Sequence, residues 1–573
     1  MAEFRFTRSR HKAPLRSLFI FCLLIATTVA AGDKPRSHAI ASAHPLATEA
    51  GRLVLEAGGN AFDATVAVSA ALAVVEPYGS GLGGGGFWLL HRARDGHQVM
   101  VDGRERAPAA ASPDMYLDSQ GEVIPGASID GPLAAGIPGV PAALEHIARR
   151  YGRLPLSISL APAIILARDG FPVDPVYRRM AGFRLDALRE SDAANAQFLR
   201  GGDVPPEGYR LQQPVLADTL TAIARDGAAA FYDGEIAERL VAAVRASGGV
   251  WTRQDLRDYR VVERDPVVTR FGDHRLVSAS LPSSGGILLA QMLNMLAVRP
   301  LEGLDEVARV HLLVEIMRRA YADRARYLGD PDHVHVPIAR LLSRGYVRSR
   351  AEGIDPEHAT PSPVLTDSTG EGRDTTHFSV LDREGNRVAA TLSINYPFGA
   401  CFVADGTGVL LNDEMDDFSA KPGVANAYGL VGNRANAIAP GKRMLSSMSP
   451  TFVEGPEQVA ILGTPGGSRI ISMVLLGLLD ALEGRPVTDW VAGGRFHHQY
   501  LPDRIEVEPG ALPQAVMEAL RLKGHRIREL DDGYGNMQAI AWDLRTGEVT
   551  AASDPRGIGS SLVSPAQGRV LQR

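Results

Sequence analysis

One stretch constrains this chain more than any other. The turn-forming run Asp367-Ser368-Thr369-Gly370-Glu371-Gly372-Arg373-Asp374 leads directly into Thr375-Thr376-His377-Phe378-Ser379-Val380. Phe378 to Leu381 is an alternating apolar segment, Glu384-Gly385-Asn386 is a turn signal, and Val388 to Leu392 is a second apolar run. The pattern predicts a β-hairpin whose first strand opens with a threonine pair. Taken alone, it is a loop entering a hairpin. A second reading makes Thr375 a chain terminus. A threonine hydroxyl is a poor nucleophile at neutral pH unless a base sits beside it. A free α-amine, with a pKa of roughly 7.7–8.0, is such a base on the same residue. Scission of the Asp374–Thr375 peptide would create nucleophile and base together.

The 573 residues can bury a large core, and length alone allows on the order of two to four domains. A net charge of −6 with 22% charged residues provides no basic field for nucleic acid. No window in the body of the chain approaches the roughly 18 apolar residues of a membrane span. At the start, Arg5, Arg8, Arg10, Lys12 and Arg16 precede an apolar run, Leu18 to Ala31, that ends in Val29-Ala30-Ala31-Gly32. A basic flank, a short apolar core and small residues at the exit predict a secretory signal peptide over 1–31. An uncleaved anchor is the alternative, but the run is short for a span. The product is expected to be periplasmic or secreted. Cleavage removes Cys22 and leaves Cys401 alone, so no internal disulfide is expected.

In the first half, helical periodicity runs from Leu46 to Glu56. A second helix is predicted over Ala61 to Val75, with Asn60 as cap and Pro77 as stop. Its small apolar side chains predict full burial. The loop Gly79-Ser80-Gly81-Leu82-Gly83-Gly84-Gly85-Gly86 contains a formal dinucleotide pattern in the wrong context, since it follows a helix and enters a strand. It reads as a tight turn with close backbone packing. Past strands at Phe87–His91 and Gln98–Asp102 stands Gly103-Arg104-Glu105-Arg106. An arginine there is commonly solvated or ion-paired, yet it is also the best two-pronged donor for a carboxylate. Helices are expected over Ala142–Tyr151, Gly286–Leu296 and Val307–Tyr327, and Tyr321-Ala322-Asp323-Arg324 reads as packing. There is no G-x-S-x-G nucleophile elbow. Asp355 to Arg373 reads as an exposed, mobile linker.

In the second half, Ser393 and Asn395 stand two apart on a predicted strand and would share one face. Asn412-Asp413-Glu414-Met415-Asp416-Asp417-Phe418 can be a solvated loop, a hard-cation site without the spacing of a calcium loop, or a receptor for a substrate ammonium. Ser419 to Lys442, which includes Tyr428, is long and irregular, as functional loops are. Ser446-Ser447 follows, then Pro465-Gly466-Gly467. That last segment makes a simple turn, or presents two unobstructed backbone N–H groups to an oxyanion. His497-His498 diverge as neighbours, lack a third ligand at zinc spacing, and read as structural.

In this order and spacing, the motifs from Thr375 to Arg469 resemble the γ-glutamyltransferase family. Its members are self-cleaving N-terminal-nucleophile enzymes that move the γ-glutamyl group of glutathione, and the resemblance spans nearly the whole mature chain. It implies an α+β fold, the four-layer αββα sandwich of N-terminal-nucleophile hydrolases. It also implies a large fragment over 32–374, a small catalytic fragment over 375–573 paired with it as a heterodimer, and no metal or organic cofactor. The implied roles make Thr375 the nucleophile, freed by scission after Asp374. Ser393, where the family usually has threonine, bonds the nucleophile's oxygen, and Asn395 contacts the amino acid end of the substrate. Arg104 grips the α-carboxylate, with Arg106 the nearest alternative, and Ser446 and Ser447 assist. Glu414 and Asp417 receive the α-ammonium from the opposite side, Tyr428 lies on a lid, and Gly466 and Gly467 form the oxyanion site. The implied substrates are glutathione and other γ-glutamyl compounds, with water, amino acids or dipeptides as acceptors. The alternatives are a cephalosporin or glutaryl acylase on the same scaffold, and a non-catalytic periplasmic solute-binding protein that stays uncut.

Overall fold

Ala61–Val75 is a helix without a polar face: all 15 of its residues are buried. Asn60 caps it with a reciprocal pair. Its side chain accepts the Phe62 and Asp63 N–H groups, and the Asp63 carboxylate accepts the Asn60 N–H. The helix ends before Pro77, as the sequence predicts. Small side chains let its neighbours approach closely. The adjacent helix, Pro45–Glu56, crosses it at Gly51, where a Cβ would stand 2.7 Å from Val68. The structure, a computed structural model, describes residues 34–363 and 375–564. The expected signal segment, Asp374 and most of the linker before it lie outside those residues.

These helices cover one face of a seven-stranded sheet. Its order is Ser560–Val563, Ala39–Ser42, Thr376–Leu381, Arg387–Ser393, Gly85–Arg92, His97–Asp102 and Val262–Arg264. A six-stranded sheet runs Val549–Ser553, Gln538–Asp543, Gln458–Gly463, Thr451–Glu454, His274–Ser278 and Val267–Phe271. All neighbouring strands in both sheets are antiparallel. Alternate side chains of the two sheets meet in a shared core that includes Leu89, Leu381, Phe452, Ile461 and Ile540. The far face of the second sheet carries Gly285–Val298, Glu306–Tyr327 and Ile470–Leu482 through a separate core. The layers are therefore helix, sheet, sheet, helix. The fold is the αββα sandwich expected from the resemblance.

The predicted hairpin forms, with Leu381 opposite Arg387 and Thr376 opposite Leu392. The glycine-rich loop is a helix-to-strand turn under steric compulsion. A Cβ on Gly83 would collide with the Leu410 carbonyl, and one on Gly84 with the Ser393 carbonyl. Both sheets interleave strands from the two sides of residue 375, so the regions before and after it form one structural unit. No described helix is long and apolar enough to cross a membrane. Cys401 is a buried free thiol, and burial pushes its pKa up to about 12.

Candidate active site

Strand pairing delivers Thr375. Because Thr376 lies opposite Leu392, Thr375 comes against Ser393, and their hydroxyl oxygens are 3.4 Å apart. Ser393 Oγ also accepts the Asn395 N–H at 2.8 Å, which orients the hydroxyl and leaves its proton for Thr375. Asn395 departs from the sequence expectation. The strand ends at Ser393, and Asn395 has a left-handed φ of 74°. The cause is Asp413, whose carbonyl accepts from Asn395 Nδ2 at 3.1 Å and whose carboxylate accepts the Tyr396 N–H at 2.9 Å. Asn395 still lines the same cavity as Ser393, but by a turn and not by strand alternation.

The acidic segment is not a solvated loop. Glu414–Asp417 is a 3-10 turn, and Asp413, Glu414 and Asp416 are buried. Buried carboxylates require partners, and Arg104 supplies one. Its Nη1 donates to Glu414 and its Nη2 to Asp417, while Nε donates to the Met444 carbonyl at 3.2 Å. The sequence expectation set Arg104 opposite the two acids; in the structure it is ion-paired to both. Arg104 contacts both acids directly and is not among the residues that line the cavity. A fully buried guanidinium needs counter-charges of its own. Arg106 turns away, bonding the Gly441 carbonyl at 2.9 Å and the Asp258 carbonyl at 3.2 Å.

Burial pushes Glu414 up to about 7; Arg104 pulls it down, and Asp417 adds to the rise. Burial lowers Arg104, but Glu414, Asp417 and Glu105 outweigh it and raise its pKa. The two partners therefore shift the same way, because three acids surround one cation. Glu105 is pushed well above the usual carboxylate range by burial and then by Glu414. Asp416 is raised by burial to about 6.

Ser446 and Ser447 arrive from the segment before Thr451–Glu454. Ser446 N–H donates to the Pro282 carbonyl at 2.8 Å, and Ser446 Oγ accepts the Met448 N–H at 3.1 Å. Gly466 and Gly467 have φ of 135° and 56°, conformations that favour glycine. A Cβ on Gly467 would strike the Tyr428 ring. Tyr428 is buried, and its hydroxyl donates to the Asn395 carbonyl at 2.6 Å, so the irregular segment 419–442 is pinned across the site. The result is a tight cavity of ≈ 20 Å³, lined by Thr375, Ser393, Asn395, Glu414, Asp417, Tyr428, Ser446, Ser447 and Gly467. Gly466 stands one residue outside the wall. His497 bonds Ser472 and Gln499, and His498 bonds Asp503. Among the described residues no cluster of three His, Cys, Asp or Glu is arranged to hold a metal.

Residues 47–564 match the family model described as Gamma-glutamyltranspeptidase. The chain belongs to that family. It is 41% identical over 527 residues to a glutathione hydrolase proenzyme of Escherichia coli, covering 91% of this chain and 90% of the relative. It is 44% identical over 519 residues to one from Pseudomonas aeruginosa, covering 89% and 91%. Among solved structures, a cephalosporin acylase from Bacillus halodurans superposes with a TM-score of 0.81 at 26% identity, covering 99% of this chain and 100% of that one.

For a γ-glutamyltranspeptidase, sequence reasoning reached most of the cavity wall but not its apolar part or its support. Leu430, Met448, Ser468 and Ile470 also line the cavity. Tyr321 OH donates to the Ser468 carbonyl, and Arg324 Nη2 donates to Ser447 Oγ at 3.2 Å. Their spacing of three on one helix, which puts both on one face, was the available signal.

Proposed function

We propose that this chain is the precursor of a γ-glutamyltransferase that hydrolyses glutathione and related γ-glutamyl amides. The observation that carries the reading is the convergence of the Thr375 hydroxyl, two acids and two serines on one small cavity. In maturation, Thr375 Oγ attacks the Asp374 carbonyl, the peptide nitrogen leaves as the new α-amine, and water hydrolyses the ester. This separates a large fragment, 32–374, from a small one, 375–573. Support comes from Thr375 itself, whose φ of 150° is costly for a β-branched residue; scission removes that constraint.

In turnover, the α-amine takes the Thr375 hydroxyl proton as Oγ attacks the γ-carbonyl. The Gly466 and Gly467 N–H groups stabilise the oxyanion, a contribution of about 10²–10³ in rate per donor. The amine leaves with the proton, and the ester passes to water or to an acceptor amine. Glu414 and Asp417 hold the α-ammonium, Arg104, ion-paired to both acids, assists the carboxylate subsite, and Ser446 and Ser447 bond the α-carboxylate. Tyr428 and Asn395 close the cavity. The basic flank and apolar run at the start support export to the periplasm or medium.

The test compares hydrolysis of γ-glutamyl and glutaryl anilides by the purified protein. Preference for γ-glutamyl is expected. Preference for glutaryl would assign the chain to the acylase activity named for its structural neighbour.

A further inference from the structure

Among the described residues, Arg324 is exceptional among the buried arginines. Every other buried arginine has a carboxylate within ion-pair distance, among them Arg104, Arg318, Arg387 and Arg469. Arg324, 5% exposed, has none among the described residues. The adjacent Asp323 is taken by Gln291, Tyr346 and Arg350. The Arg324 guanidinium instead donates to two hydroxyls, from Nε to Ser284 Oγ at 3.0 Å and from Nη2 to Ser447 Oγ at 3.2 Å. Burial and the nearby Arg104 lower its pKa while Asp417 and Tyr321 raise it, and a guanidinium in a protein stays protonated throughout.

The hydrogen-bond direction decides what Ser447 does. A guanidinium only donates, so Ser447 Oγ is the acceptor in that bond, and its single proton is directed elsewhere. Ser446 is arranged alike, its Oγ accepting the Met448 N–H at 3.1 Å. Ser284 closes the support, its hydroxyl donating to the Ser446 carbonyl at 2.7 Å while its oxygen accepts from Arg324. Both serines line the cavity, so it is presented with two O–H donors, backed by a buried positive charge that no carboxylate among the described residues meets at ion-pair distance. Arg104 cannot play that part alone, because Glu414 and Asp417 already occupy it. A buried unpaired cation behind two donors suits one ligand chemistry, a carboxylate.

We infer that Arg324 is a positioning residue for the α-carboxylate: it holds Ser447 as a hydrogen-bond donor to the substrate and supplies the positive charge that Arg104 spends on Glu414 and Asp417. The inference rests on the γ-glutamyl reading of the cavity. Arg324 reaches the carboxylate subsite from the large fragment while both serines belong to the small one, which ties substrate binding to the pairing of the two.

The experiment measures KM and kcat for γ-glutamyl anilide with the processed wild type, Arg324→Gln and Arg324→Lys, together with inhibition constants for L-glutamate and 4-aminobutyrate. The second inhibitor is glutamate without its α-carboxylate. In Arg324→Gln, KM and the glutamate inhibition constant are expected to rise about tenfold or more, the worth of a hydrogen bond with a charged partner. The 4-aminobutyrate constant and kcat should change by less than about threefold, and Arg324→Lys should recover part of the loss. Equal weakening of both inhibitors, or no change in either, overturns the role. If Arg324→Gln fails to mature, the same comparison is read on Arg324→Lys, where an unchanged ratio of the two constants overturns it. A wild type inactive on γ-glutamyl anilide sinks the parent reading and this inference with it, whereas an active wild type with an unchanged inhibitor ratio in the variants overturns this inference alone.

Discussion

At the scale of single residues, the site is governed by the cost of burying charge. Glu414 sits near neutrality because burial outweighs Arg104, and that predicts a pH dependence. As pH falls through about 7, the Glu414 carboxylate gains a proton and ceases to attract an ammonium, so kcat/KM for γ-glutamyl substrates falls. Glu414→Gln should stay active, with this part of the acid limb gone; an acid limb identical to wild type would remove Glu414 from ammonium recognition. Asp417→Ala should erode discrimination, narrowing the γ-glutamyl over glutaryl preference about tenfold. Ser393→Ala leaves Thr375 Oγ without its 3.4 Å hydroxyl neighbour. Fragment formation should slow roughly tenfold on a denaturing-gel time course, the scale of one lost hydrogen bond.

At the scale of elements, the glycine-rich turn places the nucleophile. Gly84 lies against the Ser393 carbonyl, where backbone meets backbone and no flexible side chain can yield. Gly84→Ala should cost about 1–3 kcal/mol, seen as a melting temperature lowered by several degrees, and should slow maturation because the strand carrying Ser393 shifts; unchanged values for both would place the slack elsewhere. Elements set by local rules were legible in the sequence. The Asn60 cap, the Ala61–Val75 helix and the hairpin after Thr375 depend on residues close in the chain. Distant partners hid the rest. Asn395 leaves its strand because Asp413 draws it away, and Arg324 read as packing because Ser447 lies 123 residues further on. The pairing of Arg104 with Glu414 spans 310 residues, and no spacing rule announces it.

At the scale of the molecule, scission before Thr375 would cut the chain without dividing the fold. The strand Thr376–Leu381 is hydrogen-bonded to Ala39–Ser42 on one side and Arg387–Ser393 on the other, and Thr451–Glu454 is bonded to His274–Ser278. Separating the fragments would expose strand edges and both helix-facing cores. They are expected to co-elute as one species in size-exclusion chromatography and to part only in denaturant; separate elution of intact fragments would contradict the interleaved sheets. The most direct test of the central claim is N-terminal sequencing of the active, purified protein beside its Thr375→Ala variant. The expected result is a fragment beginning Thr-Thr-His-Phe in the wild type and a single uncut, inactive chain in the variant. A wild type that turns over γ-glutamyl substrate with the Asp374–Thr375 bond intact would contradict it.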